Sequence, residues 1–208
     1  MANVPFDNPL GGSGISRRQW TAGALLAVLA APLAACGGSP LETFDLSASA
    51  TTRASARGRG QLAIAEPLAT APTDSDRIVV RPTPETVATL KGAQWTENLP
   101  RLLQTRLVQS FENSHYLRAV GRAGSGIVAA HSLTSEIRRF EIDVASGQAI
   151  VELSVKLVAE PAGRIVAARV FSASVPGSAA SGTAATAALD AALGQTLRDI
   201  VDWSAAFV

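Results

Sequence analysis

Beyond residue 60 the apolar positions fall into short alternating runs and two long stripes. Gln61-Leu62-Ala63-Ile64-Ala65-Glu66 predicts a strand stopped by Pro67, and Arg77-Ile78-Val79-Val80-Arg81 predicts another stopped by Pro82. Between Glu97 and Ser114, Leu99, Leu102, Leu103, Leu107 and Phe111 recur at offsets of three and four, with Val108 beside them, which places them on one helical face. Thr96 or Asn98 suits the cap, and Pro100 is tolerated only in the first turn. Trp95, just before the cap, is placed to pack back as a staple.

A meander of three strands follows. In the first, Leu133 and Ile137 share one phase while Phe140, Ile142 and Val144 share the other, so a bulge or twist is required near Arg138-Arg139. In the second, Val151, Leu153, Val155 and Leu157 alternate with Glu152, Ser154 and Lys156, giving one buried face and one wet face. Ala145 to Gln148 and Glu160 to Gly163 supply the turns, and the third strand runs from Arg164 to Val175, ahead of Pro176-Gly177. From Thr183 to Phe207 a long helix carries Leu189, Leu193, Leu197, Ile200 and Val201 on one stripe. The fold class this implies is α+β: a two-layer domain with a mostly antiparallel sheet and two amphipathic helices on one face.

The first 60 residues follow different rules. Arg17-Arg18 precedes an uncharged Ala- and Leu-rich run from Gln19 to Pro40, the order of a secretory signal. Leu33-Ala34-Ala35-Cys36-Gly37 at the end of that run resembles the bacterial lipobox, with cleavage between Ala35 and Cys36. That resemblance implies a diacylglycerol on the Cys36 sulfur, an acyl chain on its new amino group, and lasting membrane attachment through buried methylenes. Cys36 is the chain's single cysteine, which excludes an intramolecular disulfide framework. Ser16-Arg17-Arg18-Gln19-Trp20 is similar to a twin-arginine export signal, although Trp20-Thr21 departs from the usual Phe-Leu pair. Gly37 rather than Asp after the cysteine points to the periplasmic face of the outer membrane, with the inner membrane as the alternative. The expected organisation is a signal peptide over 1–35, a lipidated N-terminus and tether over 36–60, and one domain over 61–208. Within the tether, Leu41, Phe44 and Leu46 form an apolar island able to make a first strand.

Composition narrows the chemistry. Eighteen basic against seventeen acidic residues give a net charge of +1, which falls to formal neutrality once Arg17, Arg18 and Asp7 are cleaved away. A neutral body provides no long-range steering toward nucleic acid, and 47% hydrophobic content argues against disorder. With two histidines and one cysteine, no metal site is expected. A Ser-His-Asp arrangement would depend on His115, at a helix end, or His131, at a strand start; a surface or capping role suits each better, so no catalytic residue is assigned. Glu136, Glu141 and Asp143 read as a solvated charged strand paired with Arg138 and Arg139. Gly121 to Gly126 lacks the Lys-Ser/Thr of a phosphate loop and reads as a flexible turn, so the chain is not an ATPase.

The order of several segments carries a wider resemblance. Asp76 to Pro82, Trp95, Leu99 to Gln109, Tyr116 to Val120, Glu136 to Glu141, Gly163 to Phe171 and the Ala-rich final helix together resemble the ABC-type transport auxiliary lipoproteins. In one respect the chain departs from that pattern: Val87, Thr89 and Leu90 stand where aromatic residues are common. The resemblance implies a non-enzymatic accessory lipoprotein without cofactor other than the acyl groups on Cys36. It implies as partners a mammalian-cell-entry type substrate-binding protein with its permease and ATPase, and as cargo phospholipid or another apolar molecule moved between inner and outer membranes. It names no partner-facing residues. The competing expectations are a direct lipid carrier with an apolar cavity between sheet and helices, and a periplasmic hydrolase using His115 or His131.

Overall fold

The computed structural model describes residues 41–49 and 60–208. The elements in chain order are β1 (Glu42–Phe44), β2 (Gln61–Ile64), β3 (Arg77–Thr83), β4 (Thr86–Trp95), α1 (Leu99–Asn113), β5 (Ala119–Arg122), β6 (His131–Asp143), β7 (Gln148–Ala159), β8 (Arg164–Pro176) and α2 (Gly182–Ser204). They form an α+β fold, a curled mixed sheet with two helices.

β6 organises the sheet. Along one edge it pairs antiparallel with β7, from His131 opposite Ala159 to Asp143 opposite Gln148. The other edge is shared by two strands. β2 runs parallel to its start, with Leu62 opposite His131, and β3 runs parallel to its end, with Arg81 opposite Asp143. Leu68 bridges Glu136 between them. The antiparallel character expected of the sheet holds for the β6–β7–β8 meander and the β3–β4 hairpin. Among the described residues four of the seven pairings are parallel: β1–β4, β2–β5, β2–β6 and β3–β6.

Local chemistry explains most boundaries. The register of β6 shifts between Ile137 and Arg139, the bulge that its change of hydrophobic phase demands, and Leu133, Ile137, Phe140 and Ile142 all become buried. β3 continues through Pro82 because its last rung with β6 is Arg81, so no ladder donor is lost there. Ser181 caps α2 by accepting a hydrogen bond from the Ala184 N–H at 3.2 Å. Asn98 occupies the cap of α1 without a side-chain bond. Trp95 is not a staple at a helix entry. It ends β4 in the core, edge-on to Phe140 with ring centroids 5.9 Å apart.

Two strands lack a sequence signal for physical reasons. Residues 86 to 92 of β4 expose most side chains on both faces and are held by backbone pairing to β3, so alternation is absent. β5 is short and buries no side chain fully. The apolar island upstream becomes β1, pairing parallel with β4, while Leu46 enters the core. The Ser47 N–H donates to Asp190 and the Ser49 N–H to Ser110 Oγ, which fastens residues 41–49 to α2 and α1. This part of the expected tether is therefore packed on the domain.

One continuous core lies between sheet and helices. Leu102, Leu103, Leu107 and Phe111 of α1 and Leu189, Leu193, Leu197 and Ile200 of α2 meet the inward residues of β2, β3, β6 and β7 in it. The space in which a lipid cavity was expected is filled by these side chains.

Candidate partner-binding surface

Cys36, Ala35, Arg17 and Arg18 lie outside the described residues. The two histidines lie on different elements. His115 adopts a left-handed backbone with φ 52 immediately after α1, donating its N–H to the Glu112 carbonyl, which is a helix-terminating role. His131 opens β6, and its Nδ1 is buried without a hydrogen-bond partner. Neither joins a hydrogen-bonded Ser-His-Asp chain among the described residues.

The acidic cluster is not the solvated strand expected. Glu141 is buried, its side chain only 3% exposed, on the outer side of β6. The bulge turns Arg139 and Glu141 to the outer face, and the parallel β3–β6 pairing brings in Arg81. Arg81 Nε donates to Glu141 Oε1 at 2.9 Å and Arg139 Nε donates to the same oxygen at 2.8 Å. Arg139 also reaches Asp143 at 3.2 Å, and Arg138 pairs with Glu152 at 3.1 Å. Glu136, by contrast, is exposed. The Glu141 hydrogen bond raises the Arg81 guanidinium above its ordinary value. A hydrogen bond from the Ser146 N–H, helped by Arg139, holds the Asp143 carboxyl below the ordinary carboxylate range. The three arginines and three carboxylates cancel, so this face is locked and locally neutral. Its chemistry is bracing rather than acid–base catalysis.

Among the described residues the longest open edge is that of β8. That strand pairs only with β7 among the described residues, so its second edge offers backbone donors and acceptors over thirteen residues. Its inward residues Phe171 and Ala173 are buried, while Ala168, Val170, Ser172 and Ser174 line an exposed outer face of small side chains. Arg169 lies over the Phe171 ring at 4.9 Å, Phe171 meets Trp203 at 5.4 Å, and Trp203 meets Phe207 at 5.4 Å. This column stiffens the strand against the end of α2. Tyr116 adds a hydrogen bond from its hydroxyl to the Ala205 carbonyl, tying down the C-terminal turn. An open groove of about 720 Å³ sits at the start of β6, lined by Ala63, Ile127, Val128, Ala130, Glu160 and Pro161 among others. Unpaired edge, small-residue face and shallow apolar groove suit docking of another polypeptide. Sequence patterning marks β8 as a strand, but its being an edge is a property of the pairing.

A family model described as ABC-type transport auxiliary lipoprotein component matches residues 43–201, from within β1 to the last turns of α2. The crystal structure of protein XCC0632 from Xanthomonas campestris is similar, with 32% identity and a TM-score of 0.72, covering 79% of this chain and 95% of that one. A further crystal structure of an uncharacterized protein shares the fold at a TM-score of 0.60 and 12% identity, covering 76% of this chain and 99% of that one. Protein bll6063 of Bradyrhizobium diazoefficiens is 30% identical over 172 residues, which is 81% of this chain and 46% of that protein. The chain thus spans about half the length of this curated relative.

Proposed function

The chain belongs to the family of ABC-type transport auxiliary lipoprotein components, and on that premise we propose that it is the periplasmic accessory lipoprotein of a mammalian-cell-entry type transporter. In this reading Cys36 carries the diacylglycerol and N-acyl chain after cleavage behind Ala35, and Arg17-Arg18 belong to the export signal. The protein is held on the outer membrane and supports movement of phospholipid or another apolar cargo between the two membranes. The observation carrying this reading is the family match across nearly the whole described fold, with a lipobox cysteine a few residues upstream of it.

The role is one of binding and positioning. Family membership as a transport component favours it over an enzyme, and among the described residues neither histidine joins a hydrogen-bonded Ser-His-Asp chain. The filled core weighs against a direct carrier, because a lipid would have to displace fully buried leucines. The free edge and outer face of β8 are the surfaces we assign to the transporter's substrate-binding subunit. Addition of a partner strand there would supply main-chain hydrogen bonds without rearranging the core. The test is affinity purification of the tagged full chain from detergent-solubilised membranes. A mammalian-cell-entry type protein should co-purify with the wild type and be lost when Val170 and Ser172 are replaced by proline. Recovery of no such protein with wild type would refute the assignment. Cys36→Ser, still exported, should lose palmitate labelling and leave the membrane fraction.

A further inference from the structure

The fold leaves very little chain between the acylated cysteine and the folded domain. β1 begins at Glu42, six residues after Cys36, so whatever path those residues take the separation is at most roughly 20–22 Å. Glu42 lies opposite Ala93 of β4, and the strands are parallel, so the upstream chain leaves β1 alongside the earlier part of β4. That part, Thr86 to Gly92, has no strand on its β1 side among the described residues. It projects toward the β3–β4 turn. Thr86 to Gln94 of β4 is matched along β3 by only the six steps from Thr83 to Arg77, because the stretch from Thr89 to Gln94 is bulged, so the overhang beyond Ala93 is roughly 15–18 Å. The hairpin is therefore nearly as long as the chain that fastens it to the membrane.

We propose that the β3–β4 hairpin is a membrane-contacting element, its tip resting on the headgroup layer of the bilayer that holds the acyl chains of Cys36. The inference rests on the reading of Cys36 as the lipidated residue. The surface of the hairpin suits a zwitterionic interface: Val87 is 45% exposed, Pro82 and Pro84 flank the tip, and the nearby charges Glu85 and Lys91 are of opposite sign. The hairpin is also stiff enough to act as a strut. Thr83 and Thr86 are bonded through their hydroxyls at 2.9 Å, Arg81 donates to the Pro84 carbonyl at 3.1 Å, and the same Arg81 is pinned to β6 through Glu141.

Exposed groups on neighbouring elements lie at the same end. The β6–β7 turn follows Asp143, which pairs with Arg81, and it presents Val144 at 49% exposure. The Glu160–Gly163 turn lies at the opposite end of β6, which is thirteen residues or about 40 Å away. The groove around Val128 and the start of β8 would then face away from the membrane, toward a partner.

The test uses the full chain expressed in a Gram-negative host, purified from membranes and reconstituted in phosphatidylcholine vesicles. Glu85→Cys and Ala162→Cys each introduce one reactive thiol at an exposed turn, because Cys36 is the only native cysteine and is blocked when acylated. An environment-sensitive fluorophore on each is challenged with nitroxide-headgroup lipid. Quenching should be at least five-fold greater at position 85 than at 162, and a flexible fifteen-residue insertion after Gly38 should abolish most of that difference. Equal quenching in protein whose intact mass carries the acyl groups would overturn the membrane contact while leaving the lipoprotein reading intact. A chain that carries no acyl mass and does not float with the vesicles would overturn both.

Discussion

Glu141→Gln is the sharpest perturbation of the brace between β3 and β6. In the wild type one buried carboxylate oxygen accepts hydrogen bonds from Arg81 Nε at 2.9 Å and Arg139 Nε at 2.8 Å. Charge-assisted hydrogen bonds contribute about 1.5–3 kcal/mol each where both groups are desolvated. Here the carboxylate is buried, but the Arg81 and Arg139 side chains are 27% and 34% exposed and can recover part of their hydration. The amide keeps shape and an acceptor, yet loses the charge and must turn its NH2 away from two guanidinium groups. The net loss should be about 2–3 kcal/mol, below the roughly 3–5 kcal/mol of a fully buried broken pair. Urea unfolding followed by far-UV circular dichroism at pH 7 measures it, with an unchanged slope showing that the denatured state is unaffected. A double-mutant cycle with Arg81→Met should show coupling of about 1–2 kcal/mol. A loss below about 0.5 kcal/mol, or no coupling, would refute the claim that this pair holds the hairpin to the sheet.

Other expectations follow from single contacts. Burial alone would raise the Asp45 carboxyl, but hydrogen bonds from Arg106 and the Leu46 N–H outweigh it and hold the group below its ordinary value. Asp45→Asn should therefore cost stability above the unfolded value of about 4, by about 0.5 kcal/mol given its exposure, and the gap to wild type should close as pH falls through the lower folded value. Denaturation midpoints from pH 7 to pH 2 check the sign. Gly177→Ala would place a Cβ 2.8 Å from the Ala149 backbone nitrogen, so a loss of about 1–3 kcal/mol is expected in chemical denaturation. Trp95→Ala removes a fully buried ring from contact with Phe140 and should cost about 3–5 kcal/mol, read in the same assay.

Amphipathic patterning carried much of this protein's local structure. The stripes of α1 and α2, the alternation of β7 and the bulge of β6 all follow from which residues avoid water, and a one-residue phase change has few structural solutions. The turns were equally legible, since Gly147 and Gly163 adopt the positive φ that their positions in short connections require. The resemblance of Leu33 to Gly37 to a lipobox is likewise a local signal, independent of any fold.

Long-range pairing decided the rest. That β2 and β3 share one edge of β6, and that β1 lies parallel to β4, depends on contacts between segments far apart in sequence, for which no periodicity is diagnostic. The exposed part of β4 left no apolar trace because its support is backbone hydrogen bonding. Glu141 looked like one more charge on a wet strand, and only the approach of Arg81 from β3 makes its burial tolerable. Sequence by itself determined both helices, the β6–β7–β8 meander and the family resemblance. The tertiary structure decided which edge stays open, which charges are enclosed, and how little chain separates the domain from Cys36, because each of these is set by where distant segments meet.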